Sequence, residues 1–152
     1  MAGTRFQVKS YGANLVARHI DGVALNAQDL RPAKPAVARR VAAGYARSFD
    51  RQGPGWTPLK RSTERKRIAE GYSPGPILVK TGKYRRMATT PGLLIVDETG
   101  DGFTIRVNYD ISGVHQAGSK NMKSRPLRLS FGDRTALVRE ISDHVHSGYG
   151  RP

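Results

Sequence analysis

Residues 92–109 read GLLIVDETGDGFTIRVNY. Two apolar, β-branched runs flank the polar stretch DETGDG. Such runs suit a pleated, half-buried surface, and Gly100 and Gly102 supply the backbone freedom of a tight reversal. The pattern predicts a β-hairpin over about 92–108. A crude alternation in TRFQVKSY, residues 4–11, predicts one further short strand, and RPLRLS, residues 125–130, reads as another. Most strand signal therefore clusters behind a run of helices, which favours an α+β fold with a small antiparallel sheet and amphipathic helices packed on it.

Working outward from the hairpin, the upstream chain is spaced for helices. In PAVARRVAAGYARSF, Val37, Val41, Tyr45 and Phe49 recur every four residues, while Arg39, Arg40 and Arg47 lie off that stripe. This is an amphipathic helix with a basic outer face. Leu15, Val16, His19, Ile20 and Val23 predict an earlier helix. TPLKRSTERKRIAEG predicts a third, capped by Thr57, with Pro58 in its first turn and Gly71 at its end. A fourth is expected from about Thr81 to Thr89, although Gly82 interrupts it. DISGVHQAG reads as a turn or helical loop. Leu137, Ile141 and Val145, with Val138 beside them, predict a closing helix followed by Gly148.

The 152 residues fit a single domain, residues 1–152. Only 38% are hydrophobic and 7% aromatic, a lean supply for a core that an oligomer interface can supplement. The net charge of +14 exceeds what solubility needs and points to an anionic partner. Residues 31–86 hold fifteen basic side chains against Asp50, Glu64 and Glu70, a local net of +12. The absence of cysteine excludes disulfides, thiolate zinc sites and cysteine nucleophiles. No apolar run reaches the roughly 20 residues of a membrane span, and MAGTRFQVKSYG lacks the apolar heart of a secretory signal, so a soluble intracellular product with no membrane partner is expected.

Nothing reads as an active site. There is no Walker loop, and the serines lack a nucleophile-elbow setting. His144 and His146 stand two apart on a helix and so point in different directions. His115 has no nucleophile beside it in sequence, and it is expected with Gln116 to hydrogen-bond the loop backbone. His19 is expected to pack beside the first apolar stripe. No enzyme activity, cofactor or metal is expected.

The stretch FDRQGPGWTPLKRSTERKR, residues 49–67, holds the only tryptophan and the densest positive charge. It lacks the interleaved aromatics that stack bases. A tight Gly53-Pro54-Gly55 turn ends one helix and seats Trp56. Arg39, Arg40, Arg47, Lys60, Arg61, Arg65, Arg67, Lys83, Arg85 and Arg86 are the side chains expected to face DNA or an acidic protein.

Landmarks recur in order along residues 49–145. Phe49, Gly55, Trp56, Pro58 and Leu59 come first, then Thr63, Arg65 and Lys66. Leu78, Thr81 and Gly82 follow, then Tyr109, His115, Gln116 and Gly118, and finally Arg125, Pro126, Leu129 and Ser130. This series resembles the tailed-phage virion morphogenesis family, also called the tail completion family. Lys83 and Tyr84 replace its usual leucine, Arg128 stands where it favours an apolar residue or glycine, and residues 1–30 lie outside the resemblance. The resemblance implies a non-enzymatic virion protein of the head–tail junction, similar in role to tail terminators. Such small α+β subunits form rings, often hexameric, that cap the tail tube and join it to the DNA-filled head. The implied partners are further copies of the chain, head-completion or connector proteins, the tube protein and, transiently, genomic DNA. The implied location is the neck or head-proximal tail end of the virion, after assembly in the host cytoplasm. Trp56 would then anchor its loop, His115 and Gln116 would hold theirs, and Arg125 and Pro126 would open a strand. A sequence-blind nucleic-acid-binding protein is the alternative that charge alone supports, and a small nuclease is a distant third.

Overall fold

A computed structural model of the chain describes residues 13–53, 55–99, 102–110, 112–120 and 122–147. The strand expected at 4–11, the turn residues Pro54 and Gly100, and Gly148 lie outside the described residues. The described elements are α1 (Ala13–Gln28), α2 (Lys34–Asp50), α3 (Arg61–Ala69), α4 (Lys83–Thr89), β1 (Leu94–Thr99), β2 (Gly102–Val107), α5 (Ser112–Ala117) and α6 (Phe131–His146). Short 3-10 turns, Arg31–Ala33 and Pro91–Leu93, precede α2 and β1. This is the α+β arrangement expected: helices around one antiparallel hairpin, with Leu94 opposite Val107 and Val96 opposite Ile105.

The hairpin alone cannot bury its apolar face, so a helix must cover it. That helix is α2. Val37, Val41, Ala42 and Leu94 form one buried group, to which Phe103, Ile105, Leu137 and Ile141 add from β2 and α6. Two turns further along α2, Phe49 joins Trp56, Leu78, Tyr84, Ala88 and Leu127 in a second group. Tyr45 packs against both groups. Gly44 lies on the same face because a Cβ there would sit 2.5 Å from Leu129 Cδ2.

Helix α6 is fixed at both ends. Ser130 Oγ accepts from Asp133 N (3.1 Å), and Asp133 Oδ2 accepts from Ser130 N (3.1 Å), a reciprocal box that satisfies orphan donors of the first turn. Asn26 Nδ2 donates to the carbonyls of His144 (3.2 Å) and Val145 (3.3 Å), holding α1 against the last turn. His144 Nε2 donates to Asp29 O (2.9 Å), whereas His146 Nδ1 meets Ser142 O (2.7 Å). The two histidines thus serve different carbonyls, and among the described residues no three metal-ligating side chains gather. Among the same residues no helix is long and apolar enough to cross a membrane.

Three expectations need correction. The third helix starts at Arg61, not Thr57, with Lys60 as its extended cap residue. Pro58 biases Thr57 toward extended backbone, and Lys60 O receives the first helical N–H groups, from Thr63 (2.8 Å) and Glu64 (3.1 Å). The fourth helix starts at Lys83, because Gly82 adopts a left-handed φ of 72° that no helix interior contains. Residues 125–130 form no strand. Side chains from other elements take up their backbone groups instead. Helix α1 forms as its spacing predicts, with Leu15, Val16 and Ile20 left 56%, 59% and 59% exposed.

Candidate functional site

Segment 125–130, which forms no strand, is where the motif residues meet. A strand gains its hydrogen bonds from a neighbouring ladder, and this segment has no partner strand among the described residues. Trp56 Nε1 donates to Pro126 O (3.0 Å), Leu127 N donates to Gln116 Oε1 (3.1 Å), and Ser48 Oγ donates to Arg128 O (2.9 Å). Three side chains from three parts of the chain do the work of a strand partner. Each buried backbone group so satisfied avoids a penalty of about 1–3 kcal/mol. The Arg-Pro stretch is therefore a strap held by side chains, not the opening of a strand as expected.

Trp56 reaches the strap because the chain before it reverses sharply. Gly53 N donates to Ser48 O (2.7 Å) at a left-handed φ of 68°, and the indole folds back over it. A Cβ on Gly53 would lie 1.9 Å from the ring, so only glycine fits. The indole also meets Phe49 edge-on, with centroids 5.9 Å apart, a favoured aromatic geometry.

On the other side of the strap, Gln116 uses both ends of its amide. Its Oε1 takes Leu127 N, and its Nε2 donates to the Tyr84 hydroxyl (3.2 Å). Arg125 N donates to His115 O (2.7 Å), and the Arg125 guanidinium donates to Thr57 O (3.0 Å), closing the ring of contacts back to the tryptophan loop. Gly118 turns the chain at φ 85°, where a Cβ would lie 2.8 Å from Ser124 N. Tyr109 stacks on Tyr84 at 5.4 Å. His115 departs from expectation in part: its imidazole packs 5.0 Å from the Tyr84 ring, and its buried Nδ1 has no hydrogen-bond partner among the described residues. Burial first, then the Arg125 charge, holds this imidazole below its usual pKa. Burial likewise raises the Tyr84 hydroxyl, opposed by its bond with Gln116.

These contacts leave a cleft of about 280 Å³ beside the strap. Leu59, Thr63, Leu78, Thr81, Tyr109, His115 and Arg125 all line it, and all are landmarks of the sequence series. Residues scattered over 67 positions thus share one wall. Pro58 and Lys66 stand outside it on the surface, Lys66 within 3.9 Å of Glu70. Ser48, Tyr84 and Arg67 belong to this junction and were not singled out by motif. Ser48 carried a signal, as a polar residue between Tyr45 and Phe49 on the apolar face of α2. Tyr84 buries its ring in the second core group and presents the hydroxyl that Gln116 engages.

The basic series divides. Arg67 is buried, not surface-facing as expected, and donates to Pro76 O (3.0 Å). Its place follows from α3: Thr63 and Arg67 stand four residues apart on one face of the helix and both line the cleft, where Leu59 from the preceding extended segment joins them. Arg40 pairs with Glu140 (3.0 Å), Arg85 with Asp50 (2.6 Å), and Arg47 with the buried carboxylate of Asp133. Arg39, Lys60, Arg61, Arg65, Lys83 and Arg86 remain exposed with no carboxylate partner among the described residues. Lys83 lies over the Tyr109 ring, 5.6 Å from its centroid.

The model of the phage virion morphogenesis family matches residues 13–147, which takes in every described element from α1 to α6. The match also covers residues 13–30, beyond the reach of the motif series. No curated protein and no solved structure was found to match the chain. With the match covering well over half of its length, the chain belongs to the phage virion morphogenesis family.

Proposed function

We propose that the chain is a structural subunit of the tailed-phage head–tail junction: a tail-completion protein that forms a ring, on the hexameric plan, at the head-proximal end of the tail tube. The observation that carries this reading is the family match from α1 to α6. The role of the motif residues supports it, because Trp56 and Gln116, joined by Ser48 from α2, bind backbone and set shape rather than face a substrate. The exposed Leu15, Val16 and Ile20 on α1 support self-association, since clustered apolar exposure marks protein interfaces. On this reading the chain is no enzyme and works without a cofactor. It meets further copies of itself, a head-completion or connector protein and the tube protein in the neck of the virion. The exposed cations without a carboxylate partner among the described residues, Arg39, Lys60, Arg61, Arg65, Lys83 and Arg86 among them, give loose, sequence-blind contact with DNA passing through the channel.

Those same cations favour a second reading, a free-standing nucleic-acid-binding protein. Light scattering coupled to size exclusion, with and without tail tubes, separates the two. The ring reading expects a closed oligomer, alone or on tube ends, and weak duplex binding at physiological salt. A monomer that ignores tubes and binds duplex DNA in the nanomolar range at that salt would overturn it.

A further inference from the structure

The cleft beside the strap adjoins a second one of about 540 Å³, and the two share Leu59, Thr63, Met122 and Arg125. Together they make a groove between the start of α3 and the loop after α5. Lys60, Lys120 and Lys123 line its outer part, Arg67 and Lys80 its inner part, and Arg125 the join. Among the described residues no aspartate or glutamate lines either part. Lys80 is paired with Glu70, but among the described residues neither Arg67 nor Arg125 has a carboxylate partner. These two arginines are close enough that, after burial, the charge of Arg67 disfavours protonated Arg125. A half-buried cluster of like charges beside an unpartnered histidine nitrogen is relieved by an anion.

The walls narrow the choice of anion. Leu59, Leu78, Met122 and Tyr109 are apolar or aromatic, and Arg67 is recessed at only 8% exposure. A duplex presents its phosphates to exposed cations, and its backbone contacts are made at the surface. A small-molecule pocket usually measures about 300–1,000 Å³, so the inner cleft admits one or two side chains. We propose that this groove binds an acidic peptide segment of a neighbouring protein, with a carboxylate seated between Arg125 and Arg67 and an apolar side chain beside Met122. The neighbour is an adjoining component of the assembly, so the inference rests on the reading above.

The test uses the isolated full chain and a short fluorescein-labelled peptide alternating glutamate with leucine. Binding is expected to saturate, to shift the His115 imidazole and Met122 methyl resonances, and to weaken about tenfold or more in Arg125→Gln, which removes a charge-assisted hydrogen bond. Arg65→Gln, on the exposed side of α3, is the charge-matched control and leaves affinity within about twofold. Should Arg125→Gln loosen the strap, Lys60→Gln with Lys123→Gln replaces it, since both lysines are exposed. Equal weakening by Arg65→Gln and Arg125→Gln overturns the proposal. So does equal binding of a glutamine-for-glutamate peptide, or a duplex oligonucleotide that shifts the same His115 and Met122 resonances. The titration needs no ring, so a failure to bind peptide and a failure to oligomerise are separate results.

Discussion

Replacing Trp56 tests whether the strap is held as described. The indole is 7% exposed, meets Phe49 edge-on at 5.9 Å and donates to Pro126 O at 3.0 Å. Trp56→Ala removes all three contributions. A large aromatic cut from a core costs about 3–5 kcal/mol, which for a domain of this size lowers the melting temperature by about 10 °C. Trp56→Phe keeps most of the ring and loses the N–H, so its cost is smaller, about 1–2 kcal/mol. Urea unfolding followed by far-ultraviolet circular dichroism measures both, because the variants lack the only tryptophan. Gln116 holds the same strap one residue on, through Leu127 N. Once either side chain is removed, the strap loosens and the other has less to hold. Trp56→Ala combined with Gln116→Leu should therefore cost less than the sum of the two, by about 0.5–3 kcal/mol. A cost for Trp56→Ala below about 1 kcal/mol, or strict additivity with Gln116→Leu, would refute the reasoning.

Other substitutions probe neighbouring parts. Gly53→Ala must place a Cβ against the indole at a positive φ, so it should cost more than about 2 kcal/mol, with the loss read from the same unfolding curves. Gly44→Ala drives a methyl into Leu129 and should cost about 1–3 kcal/mol despite the better helix propensity of alanine; a gain in stability would contradict the packing of α2 against the strap. Burial opposes ionisation of Asp133, yet hydrogen bonds from Ser130 and Arg47 outweigh it and hold the carboxyl below its ordinary pKa. Its contribution is therefore complete above about pH 4 and is lost as pH falls through the lowered native value. The stability gap between wild type and Asp133→Asn should accordingly be constant from pH 7 to pH 5 and close below pH 4, as measured by urea midpoints. For His115 the sign is different in origin but similar in direction: a lowered imidazole pKa means the unfolded chain takes up its proton first, so stability is complete above about pH 6.5 and falls as pH drops below it. An imidazole resonance titrating above pH 6.5 would contradict the burial of His115.

The helices and the hairpin were legible because their signals are local. Val37, Val41 and Phe49 declare a helix face by spacing alone, and the runs at 94–99 and 102–107 declare strands by composition. What escaped was set by partners distant in sequence. Residues 125–130 have the alternation of a strand, but the groups that satisfy their backbone come from Ser48, Trp56 and Gln116. Local pattern reports an extended backbone and is blind to whether a ladder or side chains will meet it. Arg67 shows the same limit for charge. A run of basic residues reads as a solvated face, yet the four-residue step from Thr63 turns one of them inward to the Pro76 carbonyl. Likewise α1 announces its apolar residues but not their exposure, because a helix pattern cannot distinguish a face for its own core from one for another subunit.

The central claim is that this member of the phage virion morphogenesis family sits at the head–tail junction. Immunogold electron microscopy of virions carrying the chain tests it most directly. The account predicts label confined to the neck, where the tail tube meets the head. Label spread along the tail, at its distal tip or over the capsid shell would contradict it.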